Sequence, residues 1–93
     1  MKKIVLLENE YEIIKNEGDV FSLTEVESLI TDYFVPYDYI LGDFSYGKLR
    51  LKGFYDSTNK KVNKINNFDN VDNYLKEFCS YMCKHFILKK IKK

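Results

Sequence analysis

The strictest constraint on this fold is the alternation of side chains that runs through residues 48–55. Leu49 and Leu51 are apolar, and the positions around them are basic. Successive side chains of a strand point to opposite faces, so the pattern predicts a strand with one buried and one solvated face. Gly53 interrupts the alternation, as a bulge or a close backbone approach would. The predicted solvated face carries Lys48, Arg50 and Lys52.

Two regions nearer the N-terminus also predict strands. The apolar runs 3–7 and 11–15 are separated by the short polar segment 8–10 and are typical of a hairpin. Residues 37–41 are aromatic and β-branched, and they predict a strand that ends in a turn over residues 42–47.

The first of two predicted helices covers residues 23–34. Ser22 and Glu25 have the spacing of a capping box, in which the serine hydroxyl accepts a hydrogen bond from the Glu25 amide. Pro36 ends the helix, because the residue before a proline avoids the α region. The apolar stripe of this helix consists of Leu23, Val26, Leu29, Ile30, Tyr33 and Phe34.

A second helix is predicted after residue 70, with Asp69 or Asn70 as its N-cap. Its apolar stripe consists of Val71, Tyr74, Leu75, Phe78 and Met82. Residues 85–90 predict a last strand, and residues 62–65 a short additional one. The order ββ-α-ββ(β)-α-β favours an α+β fold in one domain, residues 1–93. We expect a largely antiparallel sheet with both helices on one face.

Charge is distributed unevenly along the 93 residues, although the formal net charge is only +1. Residues 1–47 carry three bases and ten acids, whereas residues 48–93 carry twelve bases and four acids. Such asymmetry marks an anion-binding face, unless the two halves interleave in the fold and cancel.

Neither a secretory leader nor a membrane span is predicted. The apolar run 4–7 is too short for the core of a signal peptide and is followed by Glu8. No apolar run approaches the ~20 residues that a membrane helix needs. The two cysteines do not form a disulfide framework, so we expect a cytoplasmic protein with reduced thiols.

Residues 37–55, YDYILGDFSYGKLRLKGFY, resemble the signature of the YutD-like family, small cytoplasmic proteins of low-GC Gram-positive bacteria and their relatives. The segment 74–90 fits the second half of the family pattern. The family often has Trp where this chain has Phe44 and Tyr where it has His85, and some members have a longer C-terminal extension. The resemblance implies a compact α+β fold, and it implies no activity.

Cys79, Cys83 and His85 are the candidates for a metal or thiol site. Structural zinc needs four ligands, and the chain has three Cys and His residues in total. The cysteines are alternatively a redox pair or small buried side chains. Cys83 and His85 share a face if this segment is extended, but no motif supplies an orienting group or an oxyanion hole. We expect no metal, no cofactor and no enzymatic activity.

The basic strand face is the predicted binding surface. Basic side chains next to exposed aromatic rings suit single-stranded RNA, because cations contact phosphates and rings stack on bases. The candidate residues are Phe44, Tyr46, Lys48, Arg50, Lys52 and Phe54. The face is alternatively an ordinary solvated surface whose lysines prevent aggregation of sheet edges. Asp43 is expected to bond the backbone of a turn.

Two kinds of binding module therefore stay open. In the first, the hairpin 43–54 binds RNA or another polyanion. In the second, the chain is a protein-interaction adaptor without nucleic-acid binding. The adaptor is favoured by an aromatic content of 16%, since Tyr and Phe are enriched at interfaces, and by charged halves that can complement a partner. We expect a monomer or a weak homodimer that does not bind membranes.

Overall fold

The computed structural model describes residues 3–18, 21–45, 48–78 and 84–91. These residues form one five-stranded sheet and two α-helices. The strands are β1 (Lys3–Leu6), β2 (Asn9–Glu17), β3 (Tyr39–Ser45), β4 (Lys48–Phe54) and β5 (His85–Lys90), and the helices are α1 (Leu23–Leu29) and α2 (Val71–Phe78). Every pair of neighbouring strands is antiparallel, in the order β1-β2-β5-β3-β4. The predicted α+β class is confirmed.

The C-terminal strand lies at the centre of the sheet. β5 pairs with β2 on one side and with β3 on the other. Phe86, Ile87 and Leu88 are buried in succession, as are Ile40 and Leu41 of β3. Successive side chains point to opposite faces, so these two strands need cover on both sides of the sheet.

The helices pack on opposite faces, and the prediction that both lie on one face is wrong. Val26 of α1 joins Ile40 and Phe86 in one cluster, on what we call the α1 face. Val71 of α2 joins Leu41 on the other, the α2 face. That prediction was based on the order of helices and strands, whereas the central strands are apolar on both sides and need cover on both.

Both helices are short, and α1 ends five residues before the predicted end. Ser22 caps it as predicted, with Oγ accepting from the Glu25 amide at 3.5 Å. Ile30 leaves the helix with ψ 136°, and a separate 3-10 turn covers Asp32–Phe34. This break allows Ile30 and Phe34 to pack against the α1 face. No helix in the described part of the chain is long and apolar enough to span a bilayer.

The first hairpin turns earlier than predicted. β1 and β2 are joined by Leu7 and Glu8, whose φ angles are 49° and 66°. Two central residues with positive φ are the mark of a type I′ turn, whose twist matches the twist of the paired strands. The polar segment 8–10 thus contributes only its first residue to the turn.

Most of the predicted turn at 42–47 belongs to a strand. β3 continues to Ser45 and pairs with β4 without a register shift. Gly42 serves packing, because a Cβ there would lie 2.1 Å from Cζ of Phe86. Gly53 gives room in the same way for the ring of Tyr37, which would lie 2.4 Å from a Cβ. The close approach predicted at Gly53 is therefore made by a side chain.

The segment between β4 and α2 contains turns where a short strand was predicted at 62–65. Asn63 and Asn66 hold it, since each side-chain Oδ1 accepts from the other residue's amide, at 3.0 and 2.7 Å. Asn67 caps a 3-10 turn that precedes α2, with Oδ1 accepting from the Asp69 amide at 2.9 Å. The cap thus lies before the two predicted residues, because the 3-10 turn extends the start of the helix.

Candidate functional site

The hairpin of β3 and β4 presents the predicted basic residues at the edge of the sheet that β4 forms. Lys48 and Arg50 are exposed, and Lys52 is half-buried with Nζ 5.8 Å from the centre of the Phe54 ring. All three are an even number of residues from Phe54, so their side chains lie on the α2 face with the Phe54 ring. The alternation read from the sequence placed these side chains together on one face.

A buried carboxylate organises this hairpin. Asp43 is 1% exposed, and its Oδ1 lies 2.9 Å from Nε of Arg50, the residue opposite it in β4. On its other side Asp43 lies opposite His85 of β5, which is 7% exposed. Asp43, Arg50 and His85 thus form a polar row across three strands of the α2 face.

The prediction that Asp43 serves a turn is wrong, because β3 continues past it. The missed signal is the alternation of side chains along the strand, which places Asp43 on the same face as Tyr39 and Leu41. A carboxylate on that face is buried, and its charge then needs a partner on the neighbouring strand. Arg50 is in register to supply one.

Helix α2 packs on the same face of the sheet as the polar row, where Tyr74 and Leu75 lie against the apolar core. Burial raises the pKa of Tyr74, the nearby charge of Asp43 adds to the rise, and Arg50 opposes it. The two members of the ion pair thus act on the Tyr74 phenol in opposite directions. The α2 face is therefore a packed polar cluster at this end and an apolar core further along β4.

The predicted aromatic residues do not form one exposed surface with the bases. Phe54 is completely buried, with its ring 5.6 Å from that of Tyr74 in an edge-to-face contact. The expectation that Phe54 is available to stack a base is corrected, because the end of β4 passes beneath α2. Phe44 is half-buried and pairs with Leu49, so it lies on the α1 face, opposite the bases. Tyr46 lies outside the described residues.

The thiol site also lies outside the described residues, since these exclude both Cys79 and Cys83. The metal, redox and packing interpretations of the two cysteines remain predictions. Within the ranges that the structure describes, no three Cys, His, Asp or Glu side chains are grouped closely enough to hold a metal ion.

The acidic and basic halves of the chain interleave in the sheet. β5, from the basic half, lies between β2 and β3, from the acidic half. Glu12 of β2 lies opposite Lys3 of β1 and Lys89 of β5. Arg50 likewise lies opposite Asp43. Cross-strand pairing therefore compensates part of the charge asymmetry.

A cavity of about 420 Å³ opens at the other end of the α2 face, and its lining mixes acids and bases. Asp38, 6% exposed, accepts from the Asp56 amide at 2.8 Å and from Nδ2 of Asn59 at 3.0 Å. This carboxylate fastens the loop after β4 to the start of β3. The lining comprises Glu12, Asp38, Tyr39, Asp56, Lys89, Lys90 and Ile91.

Similarity to known proteins extends over nearly the whole chain. A family model described as "Putative antitoxin YutD-like" matches residues 6–89. "Putative antitoxin YutD" of Bacillus subtilis (strain 168) is 38% identical over 91 residues, which cover 97% of this chain and 100% of that protein. The solution NMR structure of protein yutD from B. subtilis matches with a TM-score of 0.83 at 36% identity, covering 100% of this chain and 84% of that one.

Proposed function

The chain belongs to the YutD-like family, as the residues at 37–55 predicted, and on this premise we propose that it is an antitoxin that acts by binding a protein partner. The observation that carries the proposal is the end-to-end match to a relative named "Putative antitoxin YutD". Neutralisation by contact needs a rigid recognition surface and no catalytic group. We also propose that the protein is not an enzyme and that it acts in the cytoplasm.

The geometry of the sheet supports binding rather than catalysis. Asp43 is committed to Arg50 at 2.9 Å, and His85, the single histidine of the chain, is 7% exposed. Groups held in this way stiffen a surface but are not open to a substrate. Preorganised surfaces of this kind lose little entropy when they bind a partner.

Capture followed by co-expression tests the proposal. The chain is immobilised and used to isolate partners from a lysate of its host, with and without nuclease. A captured protein is then expressed alone and together with the chain. We expect nuclease-resistant capture of a protein that arrests growth alone and no longer does so when the chain is present. If every partner is lost with nuclease, or if co-expression does not relieve the arrest, the proposal is wrong.

Binding of RNA or another polyanion through the hairpin 43–54 is the second candidate function. It is supported by the exposure of Lys48 and Arg50 at the sheet edge. Affinity for single-stranded RNA should then fall steeply with salt, because each neutralised phosphate releases counterions. Replacing Lys48 and Lys52 with Ala should flatten the logarithmic salt dependence by about one to two units.

The matched control for this titration replaces Lys60 and Lys61, two exposed lysines of the loop after β4. Their removal changes the net charge equally and should leave the salt dependence unchanged. Tyr46→Ala should weaken binding by roughly 1–3 kcal/mol if its ring stacks on a base. A dissociation constant no tighter than about 0.1 mM at physiological salt is merely non-specific and would exclude this candidate.

A further inference from the structure

Strand β4 lies at the edge of the sheet, and within the described ranges its outer side is paired with no strand. The next residue, Tyr55, forms a parallel bridge with Asn67, so the open part of the edge ends at Phe54. An edge strand directs alternate N–H and C=O groups outward, and these groups can pair with an added strand. We propose that the outer edge of β4 binds an extended acidic segment of the partner protein. The inference rests on the proposed protein-binding function, and it names the surface and the chemistry of the partner.

Charge along β4 determines the chemistry of the added strand. Arg50 has a carboxylate opposite it in β3, but Lys48 lies opposite Ser45 and Lys52 opposite Leu41, which carry no charge. Directly opposed residues of neighbouring strands have Cβ atoms about 4.5–5.5 Å apart, within reach of charge pairing. An added strand with acids on the α2 face would place them beside Lys48 and Lys52.

The same sheet already contains this arrangement. Glu12 of β2 lies between Lys3 of β1 and Lys89 of β5, so an acid on one strand is bracketed by bases on both neighbours. At the β4 edge the bases are present and the acidic strand is missing. A partner segment that supplies it would continue a pairing pattern that the sheet uses internally.

The other face of β4 determines the remaining positions of the segment. Leu49 and Leu51 are half-buried and pack against the α1 face core. Residues of an added strand opposite them bury apolar surface if they are themselves apolar. The segment therefore alternates acidic and apolar residues, and the acids face the lysines.

A second copy of this chain does not fit the edge. Pairing β4 with another β4 would oppose bases to bases, and like charges directly opposite each other are destabilising. The lysines thus repel a copy of the same strand while they admit an acidic one. RNA fits less well, because Phe54, the aromatic residue in the basic row, is 0% exposed.

Peptide binding tests the chemistry of the edge. The probe is a fluorescein-labelled nine-residue peptide that alternates glutamate with valine or isoleucine, titrated by anisotropy in 50 mM salt. We expect binding, with NMR amide shifts concentrated in residues 48–54. A peptide of the same composition without alternation, and one with lysine in place of glutamate, should each bind at least tenfold more weakly. Equal binding of the non-alternating peptide would overturn the proposal.

Backbone pairing is tested with N-methylated probes. One version of the alternating peptide is N-methylated at its odd positions and the other at its even positions. Each version thus loses the backbone N–H donors along one side of the extended peptide. An added strand donates to β4 from one side only. One version should therefore bind at least tenfold more weakly, and the other should keep the affinity of the unmethylated peptide. Equal behaviour of the two versions would show attraction between charges without strand pairing and would overturn the proposal.

Charge reversal locates the site. The double variant Lys48→Glu/Lys52→Glu should bind the glutamate peptide at least tenfold more weakly and should bind the lysine peptide more tightly than the unaltered chain does. The matched control, Lys60→Glu/Lys61→Glu, changes the net charge by the same amount and should still bind the glutamate peptide more tightly than the lysine peptide. Displacement of the bound peptide by a 12-nucleotide single-stranded RNA at lower concentration would instead assign the edge to nucleic acid and overturn the proposal.

The co-expression experiment distinguishes failure of this inference from failure of the proposed function. Loss of neutralisation by Lys48→Glu/Lys52→Glu, with retention by Lys60→Glu/Lys61→Glu, supports the β4 edge. If the Lys48→Glu/Lys52→Glu variant still captures and neutralises the growth-arresting protein, the protein-binding function stands and the edge assignment is wrong. If the unaltered chain neutralises nothing, the proposed function itself is wrong.

Discussion

Asp43 and Arg50 differ strongly in burial, although they form one ion pair. The carboxylate is 1% exposed, whereas the arginine side chain is 44% exposed. Removing Arg50 and removing Asp43 should therefore affect stability differently. A buried charge that loses its partner has no access to water, but a half-exposed guanidinium is still hydrated.

We expect Arg50→Met to lower the free energy of unfolding by about 2–3 kcal/mol, because it removes the charge that compensates the buried Asp43 carboxylate. The loss is somewhat smaller than for a fully buried pair, since the arginine is half-exposed. Asp43→Asn should cost about 1 kcal/mol, since Arg50 reaches solvent. Urea unfolding followed by circular dichroism measures both. Lys60→Met is the surface control and should change stability by less than ~0.5 kcal/mol. Equal losses for the two pair variants would contradict the asymmetry.

A tyrosine pair on the other side of the molecule has a testable pH dependence. Tyr37 donates its hydroxyl proton to the oxygen of Tyr33 at 3.0 Å. This hydrogen bond, followed by burial, raises the pKa of Tyr37 to about 12. The folded state thus retains the Tyr37 proton between pH 10 and 12, where the unfolded chain releases it. The resulting stabilisation is complete below pH 10 and is lost as the pH rises through about 12.

Tyr33→Phe removes the acceptor and should lower the pKa of Tyr37 towards its ordinary value near 10. Chemical shifts of ¹³Cζ-labelled tyrosine, followed from pH 8 to 12, measure the change, and Tyr37→Phe assigns the resonance. Tyr33→Phe should also lose less stability than the unaltered chain between pH 10 and 11.5. An unchanged Tyr37 titration in Tyr33→Phe would show that burial alone raises the pKa.

Among the elements, the turn between β1 and β2 combines favourable geometry with unfavourable residues. Type I′ turns favour Asn-Gly, because both central residues need positive φ. Leu7 and Glu8 occupy these positions, and the close approach of Cβ to the following carbonyl oxygen in this region costs roughly 1–2 kcal/mol per residue. The tertiary pairing of β1 with β2 imposes this conformation on the two residues.

Leu7→Asn/Glu8→Gly should therefore raise the free energy of unfolding by about 1 kcal/mol, since Leu7 is already 42% exposed and loses little burial. Thermal and urea unfolding measure the gain, and unchanged amide shifts outside the hairpin verify the fold. Asn9→Gly, one residue into β2, is the control and should destabilise by roughly 0.5–1 kcal/mol. A loss of stability in the double variant would contradict the type I′ assignment.

At the scale of the whole molecule, the sheet depends on its last strand. β5 joins the hairpin of β1 and β2 to the hairpin of β3 and β4, which have no direct pairing with each other. Phe86 and Leu88 also contribute to the α1 face core, and Ile87 contributes to the core of the α2 face. Both cores therefore require residues at the C-terminal end of the chain.

A chain that ends at Lys84 should not fold, because two isolated hairpins are at best marginally stable in water. We expect collapsed amide dispersion in ¹H–¹⁵N spectra and no cooperative thermal transition. A chain that ends at Ile91 retains β5 and is the matched control, expected to unfold cooperatively. Cooperative unfolding of the shorter chain would contradict the central role of β5.

Local patterns in the sequence predicted much of the secondary structure. The last strand was predicted at its observed bounds, and the cap at Ser22 and the grouping of Lys48, Arg50 and Lys52 on one face were also correct. These features depend on side-chain periodicity and on hydrogen bonds between near neighbours. Burial of Phe54 was missed, because it depends on α2, which is distant in sequence.

Side-chain periodicity was sufficient to locate both helices and the five observed strands and to indicate a largely antiparallel sheet, but it also predicted a strand at 62–65 that the structure does not contain. The position of β5, the placement of the helices on opposite faces, and the roles of Gly42 and Asp43 follow from contacts between segments that are distant in sequence. Gly42 is a strand residue because the Phe86 ring occupies the space above it, and Asp43 is an ion-pair residue because Arg50 lies in register. Such roles depend on contacts between segments brought together by folding, and no local pattern indicates that β5 lies between β2 and β3.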